Sequence, residues 1–327
     1  MNKFVGVDLG GTHLRAAVVN IDSGELTGLK QIDTLAREGH DAVIARMADL
    51  ILDVIHASGL TKSHIGGIGI GVPGQIDLEH GVVRFLPNLP GNWLNVPLRQ
   101  RIEELVGLPT HILNDARSMT FGEWKLGAGR GVDTVACFTL GTGIGGGLVI
   151  NGKLHLGISG SAGELGHQVI DFNGPRCGCG NLGCLETFAS GPAIAAMGIR
   201  AVVQGLTTCI GEMVDYDLNR ITPKVIYQAA MQGDAIAQDI YEKAGYYIGV
   251  ALSGVLAVIS PHKVVIGGGV SQAGDLLLDP IRRTVKERTF IMPAYEVQIV
   301  LAELGTNAGM IGAAAWAKEQ TIDALNE

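Results

Sequence analysis

The stretch FVGVDLGGTHLRAAVVNID, residues 4–22, joins two apolar segments through a glycine-rich turn. It predicts a strand over residues 4–8, a tight turn over residues 8–12 and a second strand around residues 15–19. The stretch TVACFTLGTGIGGGLVING, residues 134–152, repeats this order of apolar strand, glycine turn and apolar return strand. We therefore expect an internally duplicated chain with one glycine-tipped hairpin in each half.

Between and after the two hairpins, helical and strand patterns alternate, which indicates the α/β class. The predicted helices span residues 41–57, 97–106, 235–259 and 308–318, and the predicted strands span residues 65–71, 111–113, 263–266 and 298–302. The last of these helices is rich in alanine, and we expect it to return and pack on the first half.

Length and composition set the broad class. A chain of 327 residues exceeds the size at which one core stops growing, so two domains are expected. Charged residues make up 17%, below the usual fraction of about 25%, which favours surface hidden between domains or subunits. We expect a homodimer or homotetramer. The net charge of −8 without a basic stripe argues against nucleic-acid binding.

We predict a cytoplasmic protein. The few residues before the first strand cannot form a signal peptide, and the longest apolar run, residues 249–259, is too short to cross a membrane.

Three cysteines, Cys177, Cys179 and Cys184, lie close together among glycines, and His167 precedes them by ten residues. Thiolate and imidazole ligands at such spacing favour a tetrahedral Cys3His zinc site. The alternatives are ordinary buried thiols in a glycine-rich turn, or a disulfide that leaves one thiol unpaired. Cytosolic thiols stay reduced, which favours the metal.

Glycine-rich turns expose backbone N–H groups that can bind phosphate. The residues concerned form a first glycine turn (Gly10, Gly11, Thr12) and a second glycine turn (Gly141, Thr142, Gly143). Neither is a Walker loop, since no Gly-Lys-Ser/Thr follows, and neither leads into a helix as the dinucleotide fingerprint requires. Each alone could be a plain hairpin, whereas two in the same context favour a chain of phosphates between them.

Asp8 ends the first apolar strand, where an unpaired carboxylate is costly. We predict a water-mediated Mg2+ contact, with a hairpin-capping role as the alternative. Asn114 and Asp115 follow the strand predicted over residues 111–113, a position where α/β sheets carry sites. Asp115 is a candidate general base for a sugar hydroxyl, and a plain Asn-Asp turn is the alternative.

Taken together, ten short motifs resemble the sugar-kinase branch of the ROK family (repressors, ORFs and kinases), and within it the bacterial glucokinases. The motifs are DLGGT at 8–12, VPG at 72–74, PNLPG at 87–91, NDA at 114–116, GEW at 122–124, LGTGIGGG at 140–147, ELGH at 164–167, CGCGNLGCLE at 177–186, GGGV at 267–270 and LGTNAGMIGAA at 304–314.

The resemblance implies a duplicated two-domain α/β fold of the actin-like (ribonuclease H-like) ATPase type, with a cleft between the domains. We expect residues 1–113 and 304–327 to form a smaller domain and residues 114–303 a larger one with a zinc-binding loop. The implied reaction is phosphorylation of glucose at its 6-hydroxyl by ATP. Alternatives are mannose, fructose, N-acetylglucosamine or N-acetylmannosamine as acceptor, and polyphosphate as donor. A sugar-responsive regulator is disfavoured, because the first hairpin begins at residue 4 and leaves no room for a DNA-binding domain.

By resemblance, Asp115 is the base that accepts the 6-hydroxyl proton. The residues that would contact the sugar are Gly74, Asn88, Asn114, Asp115, Glu164, His167 and Glu186. ATP would lie between the first and second glycine turns, with Mg2+ near Asp8. A third glycine turn (Gly267, Gly268, Gly269) would approach the nucleoside. Zinc would be structural, and His167 would use one ring nitrogen for zinc and the other for the sugar.

Two departures from the family pattern flank the implied sugar site. Arg117 stands where the family commonly has a small or amide residue after NDA, and Asn92 displaces a tryptophan to Trp93. Neither is expected to touch the proposed base, but both put the choice of hexose in doubt.

Overall fold

The computed structural model describes residues 1–86, 89–291 and 294–326. The strands in chain order are β1 (Lys3–Leu9), β2 (His13–Asn20), β3 (Leu26–Asp33), β4 (Ile68–Val72), β5 (Gln75–Asp77), β6 (Val82–Phe85), β7 (Thr110–Asn114), β8 (Val135–Leu140), β9 (Ile144–Ile150), β10 (Lys153–Leu154), β11 (Lys263–Gly267) and β12 (Gln298–Leu301). The helices are α1 (His40–Ala57), α2 (Leu98–Val106), α3 (Asp115–Leu126), α4 (Glu186–Ala189), α5 (Gly191–Val203), α6 (Pro223–Met231), α7 (Ala235–Ile259), α8 (Asp275–Arg288) and α9 (Ala308–Asn326).

Two five-stranded sheets have the same design. The first has the order β3-β2-β1-β4-β7 and the second the order β10-β9-β8-β11-β12. In each, an antiparallel meander is followed by two strands parallel to the first strand of that meander. The duplication expected from the two glycine-tipped hairpins is therefore confirmed, and strands β5 and β6 form a separate small hairpin.

Helix α9 returns to the first sheet, as its sequence predicted. Glycines in the central strands allow this close approach: a Cβ at Gly6 would lie 2.1 Å from the carbonyl oxygen of Met310, and one at Gly69 would lie 1.8 Å from that of Ala313. Alanines on α9 complete the fit, because they are small enough to bring the helix backbone against the sheet.

Helix α3 lies between the two halves. It packs mainly on α9 and also on β9 of the second sheet. Small residues again permit this, since a Cβ at Gly312 would lie 1.7 Å from the Ser118 carbonyl oxygen. The division of the chain at residues 113/114 and 303/304 stays a prediction.

Helix α7 forms the centre of the second half. By length and composition alone, this 25-residue helix could cross a membrane, which the apolar run at residues 249–259 did not suggest. It packs against α4, α5, α6 and α8 within the largest apolar core cluster. Such a helix is typical of the core of a globular domain.

Candidate functional site

The parallel strands of the first sheet end at one edge, where the predicted site residues lie. Register pairs Asp8 of β1 with Gly71 of β4, and Val72 of β4 with Asn114 of β7. Because carboxyl ends of parallel strands meet at the same edge, Asp8 and Asn114 are brought together with Asp115, which follows directly.

Asn114 and Asp115 start a helix rather than a simple turn. The Asn114 side-chain oxygen caps α3, accepting from Ala116 N at 3.0 Å and Arg117 N at 3.3 Å. Its amide nitrogen donates to the carbonyl oxygen of Gly74 at 3.2 Å. The structure thus joins Gly74, Asn114 and Asp115, three of the residues predicted to contact the sugar.

The pKa of Asp115 is raised from 3.8 to about 6, chiefly because burial removes the carboxyl group from water. The N–H of Ala116 and the charge of Arg117 lower the pKa, whereas the charges of Asp8 and Glu164 raise it. A carboxylate with a pKa this close to neutrality can accept a proton more readily than an ordinary aspartate, as a general base must.

Asp8 lies beside the start of α9. Burial raises the pKa of its carboxyl group, and the charge of Arg15 opposes that rise. Arg15 in turn donates to the backbone of Thr306 and, at 2.7 Å, to the side chain of Asn307. Two acidic groups, Asp8 and Asp115, are therefore held near each other, an arrangement that favours a cation between or beside them.

A second part of the candidate site is formed by the segment that contains His167 and the cysteines. Its glycines pack directly on β9: a Cβ at Gly166 would lie 1.9 Å from the Ile144 carbonyl oxygen, and one at Gly163 would lie 2.9 Å from Gly147 Cα. This explains why the motifs LGTGIGGG and ELGH both carry glycine, since their backbones touch.

We define the cysteine cluster as His167, Cys177, Cys179 and Cys184, whose potential ligand atoms all lie within 4.8 Å of one another. The sulfurs of Cys179 and Cys184 are 3.7 Å apart, and Nδ1 of His167 is 3.6 Å from the sulfur of Cys177. Tetrahedral bonds of about 2.3 Å would place two sulfurs about 3.8 Å apart, so the donor set fits a zinc-like ion. The thiols are free, which rules out a disulfide in this structure.

The pKa values of the cluster thiols differ with their surroundings. Burial raises the pKa of Cys177 and raises that of Cys184 to about 12, whereas the N–H of Asn181 lowers the pKa of Cys179. Buried thiols of this kind become thiolates when a cation coordinates them.

Glu186 connects the cysteine cluster to the second glycine turn. Its Oε2 accepts the N–H of Ile144 at 2.9 Å, and its Oε1 lies 3.8 Å from the sulfur of Cys177. A Cβ at Gly143 would lie 2.5 Å from Glu186 Oε2, so a larger residue there would displace this carboxylate from the N–H of Ile144. Glu186, predicted to contact the sugar, therefore also links the second glycine turn to the cysteine cluster.

Both glycine turns present unpaired backbone donors. In the part of the chain that the structure describes, the N–H groups of Gly11, Thr12, Thr142 and Gly143 have no hydrogen-bond partner within the protein. The N-terminus of α5, unrecognised from the sequence, stands beside the second turn, where Gly191 N donates to the Gly141 carbonyl at 2.8 Å. Helix N-termini and free N–H groups both favour anions.

The contacts of the third glycine turn differ among its three glycines. A Cβ at Gly267 would lie 2.4 Å from Met119 Cε, and one at Gly268, which has φ +89°, would lie 2.4 Å from the Leu140 carbonyl oxygen. The positive φ and the backbone contact require glycine at Gly268, whereas a Cβ at Gly267 would meet the end of a flexible methionine side chain, which can move. A Cβ at Gly269 meets nothing within 4 Å, so only this residue faces open space.

Arg117 has a role that sequence reasoning missed. Its side chain is buried, and its Nη2 lies 2.9 Å from Oε1 of Glu164, while Nη1 donates to the Asn114 side chain at 3.0 Å. It therefore contacts two residues predicted to contact the sugar. The sequence marked position 117 as unusual, but only the fold shows what the guanidinium reaches.

Two further positions singled out in the sequence are Trp93 and Asn88. Trp93 is buried in the first-half core with its ring 6.1 Å from that of His40. It is a core residue in this structure. Asn88, predicted to contact the sugar, lies outside the described residues.

Known proteins resemble this chain along almost its full length. A glucokinase of Thermotoga maritima is 40% identical over 324 residues, which cover 97% of this chain and 98% of that enzyme. The crystal structure of a ROK family glucokinase from Streptomyces griseus in complex with glucose and AMPPNP is similar with a TM-score of 0.81 and 34% identity. The match covers 97% of this chain and 99% of that one.

A regulator is also similar. A xylose repressor of Caldicellulosiruptor bescii is 32% identical over 315 residues, which cover 96% of this chain but 78% of the repressor. The structural likeness confirms the duplicated actin-like α/β fold that the motifs implied. The ROK family model matches residues 4–320, and the chain belongs to the ROK family.

Proposed function

We propose that this protein transfers the γ-phosphoryl group of ATP to the 6-hydroxyl of glucose. The observation that carries this is the convergence of Asp8, Asn114 and Asp115 at the carboxyl edge of the first sheet. The similarity to glucokinases over nearly the whole chain supports the same reaction and the same pair of substrates.

Asp115 would act as the general base. Its raised pKa of about 6 keeps it ionised at neutral pH while making it basic enough to accept the sugar proton as the new bond forms. The amide of Asn114 is fixed by the helix cap beside it and would orient the same sugar. Most of the remaining barrier in phosphoryl transfer is lowered by positioning and charge neutralisation.

The two glycine turns would bind the phosphates of ATP. Their free N–H groups supply donors, the N-terminus of α5 adds a favourable dipole, and Gly269 leaves room for the nucleoside. Mg2+ near Asp8 would neutralise phosphate charge. Burial of the Asp8 carboxyl group supports this role, because a bound cation offsets the cost of keeping it ionised.

The cysteine cluster would hold a structural zinc ion through His167, Cys177, Cys179 and Cys184. Four protein ligands leave no open position for water, so the ion would stabilise the loop rather than take part in the chemistry. With Nδ1 of His167 towards the sulfurs, Nε2 is left for a sugar hydroxyl. Glu164 and Glu186 would complete the hydroxyl-binding set, together with Gly74 and Asn88.

A coupled assay over a panel of sugars and donors tests the proposal. We expect the highest kcat/KM with glucose and ATP, and lower values with mannose, fructose, N-acetylglucosamine, N-acetylmannosamine and polyphosphate. A clear preference for another sugar, or for polyphosphate, would move the proposal to that substrate. No turnover of any sugar would refute it.

The similarity to a xylose repressor makes DNA binding a second candidate function. A gel-shift assay with and without glucose decides this, and we expect no shift. We further propose a cytoplasmic homodimer or homotetramer of two-domain chains divided near residues 113/114 and 303/304. Light scattering of the purified protein would give the subunit number, and a monomer would contradict that part.

A further inference from the structure

Arg117 is the largest fully buried side chain among the described residues, with 1% of its surface exposed. Arginine is seldom buried this completely unless its charge is paired and its five N–H donors are satisfied. Its location is informative, because it lies in the first turn of α3, two residues after Asp115.

The guanidinium joins α3 to the loop before Glu164. Nη1 donates to the Asn114 side-chain oxygen at 3.0 Å, and Nη2 lies 2.9 Å from Glu164 Oε1. Nε and Nη2 both donate to the carbonyl oxygen of Ala162, at 3.1 and 3.0 Å, and Nη2 also donates to that of Ser161 at 2.9 Å. A planar fork can make these divergent contacts, whereas the single ammonium of lysine cannot.

The contact with Asn114 fixes which way its amide points. The side-chain oxygen of Asn114 already accepts from two backbone N–H groups, of Ala116 and Arg117, and the guanidinium adds a third donor. That oxygen is therefore fully used. Its NH2 group donates once to Gly74 and keeps a second hydrogen, so Asn114 can offer a ligand a donor but no acceptor.

The contact with Glu164 fixes a side chain that would otherwise be free. The Glu164 side chain is 44% exposed and follows a loop in which Gly157, Gly160 and Gly163 all have positive φ. Arg117 holds one carboxylate oxygen and two carbonyls of this loop. The second oxygen of Glu164 remains available to accept hydrogen bonds from hydroxyl groups.

We propose that Arg117 is a positioning residue for the sugar: it sets Asn114 as a hydrogen-bond donor and Glu164 as a hydrogen-bond acceptor on the two sides of the hydroxyl-binding site. The inference rests on the proposed function, because it assigns how the same sugar is held. Arg117 itself would not touch the sugar.

The test compares Arg117→Met and Arg117→Lys with Glu164→Gln, using KM for glucose, KM for ATP and direct glucose binding by calorimetry. Losing charge-assisted hydrogen bonds should raise KM for glucose by about 10- to 100-fold in Arg117→Met, with KM for ATP changed by less than about 2-fold. Arg117→Lys should restore part of the loss, because it keeps the charge but not the fork.

Lys263→Met is the matched control. Lys263 also donates to two backbone carbonyls, of Ala128 and Arg130, at 3.1 and 3.0 Å, but contacts none of the predicted sugar residues. It should lower thermal stability while leaving KM for glucose unchanged. A merely structural role for Arg117 would give the same pattern in Arg117→Met.

The pH profile gives a second readout that a structural role would not produce. Arg117 lowers the pKa of Asp115 and Glu164 raises it. The acid limb of kcat/KM should therefore move to higher pH in Arg117→Met and to lower pH in Glu164→Gln.

The double variant of Arg117→Met with Glu164→Gln gives a third readout. In it, Arg117→Met should raise KM for glucose by a smaller factor than it does alone, because its partner is already altered.

Three results would overturn the proposal: an unchanged KM for glucose in Arg117→Met, an equal rise in KM for ATP, or full additivity with Glu164→Gln. If Arg117→Met does not fold, Arg117→Lys with Glu164→Gln gives the same comparison. If the wild-type protein phosphorylates no sugar, the proposed function fails, and the calorimetric affinities of wild type and Arg117→Lys for glucose still decide the role of Arg117.

Discussion

The cysteine cluster and the first turn of α3 hold the predicted sugar residues in different ways. The cluster lies in a segment with little regular structure, where the four-residue α4 is the longest element. Four of its side chains converge on one point. The α3 turn is instead anchored by a helix cap, by Arg117 and by packing on α9. Where regular structure is scarce, a metal can supply the rigidity that elsewhere comes from packing and hydrogen bonds.

The largest difference between the two regions should be in kcat, because only the α3 turn carries the proposed base. Asp115→Ala removes the proposed base from the α3 turn and should lower kcat by about 100- to 10,000-fold. Glucose binding should remain measurable by calorimetry, because the hydroxyl-binding residues are still present.

Asp115→Asn is the matched control for shape. It should be equally inactive, yet at pH 7 it should be as stable as the wild type or more so, because it removes a buried carboxylate that is costly to ionise. Wild-type kcat in either variant would show that Asp115 is not the base.

The next largest effect should come from the other region. Cys179→Ser removes one ligand of the cysteine cluster, so the purified protein should lose its zinc, and KM for glucose should rise by about 10- to 100-fold. Metal analysis and steady-state kinetics measure the two effects.

Cys209→Ser is the control, since Cys209 lies outside the cluster. It should keep both zinc and activity. The metal does not hold the cysteine cluster in place if the wild-type protein contains no zinc, or if zinc-free Cys179→Ser has the wild-type KM for glucose.

A smaller effect, on the free energy of unfolding, should show how firmly the C-terminal end of α3 is anchored. Glu123 is fully buried, and its carboxylate accepts the N–H groups of Ala128, Glu303 and Leu304 at 2.9, 3.1 and 2.8 Å. Glu123→Gln leaves buried N–H groups without an acceptor and should lower the free energy of unfolding by about 1–3 kcal/mol in denaturant titration.

Glu303→Gln provides the comparison for Glu123, because it removes only an exposed ion pair with Arg130. It should change the free energy of unfolding by less than about 1 kcal/mol. Equal effects of the two substitutions would mean that the buried carboxylate does not anchor the helix.

The last prediction needs no substitution and concerns the pH dependence that Asp115 gives to the α3 turn. Since the folded pKa of Asp115 is about 6, kcat/KM should fall tenfold per pH unit below that value as the base becomes protonated. The stability contribution has the opposite sign. Protonation is favoured in the folded state, so stability from this group is gained as pH falls through about 6 towards 3.8. An acid limb near pH 4 would contradict the raised pKa.

The sequence marked the residues of the candidate site more readily than the helices and strands that support them. Cysteine spacing and glycine turns are local signals, and the structure brings His167 and the three cysteines together. The ligands of both motifs stay predictions. Strand β3 was missed because it is an edge strand with alternating exposure and few β-branched residues. Helix α3 was missed because it is buried on most sides, so it lacks a polar face with helical period.

The functions of individual side chains depended on contacts between distant residues. Arg117 reads as a specificity change in the sequence, and only the approach of α3 to the loop before Glu164 shows that it joins two predicted sugar residues. Likewise, Gly268 suggested ligand contact, whereas its positive φ and the approach of the Leu140 carbonyl already require glycine there. Contact of the third glycine turn with the nucleoside stays a prediction.

The most direct test of the central claim is to follow glucose, ATP and Mg2+ with the purified protein by phosphorus NMR. The account predicts one glucose 6-phosphate and one ADP formed per ATP consumed, and product formation at least about 100-fold slower with Asp115→Ala. Release of inorganic phosphate without a sugar phosphate, or phosphorylation at a hydroxyl other than the 6-hydroxyl, would contradict it.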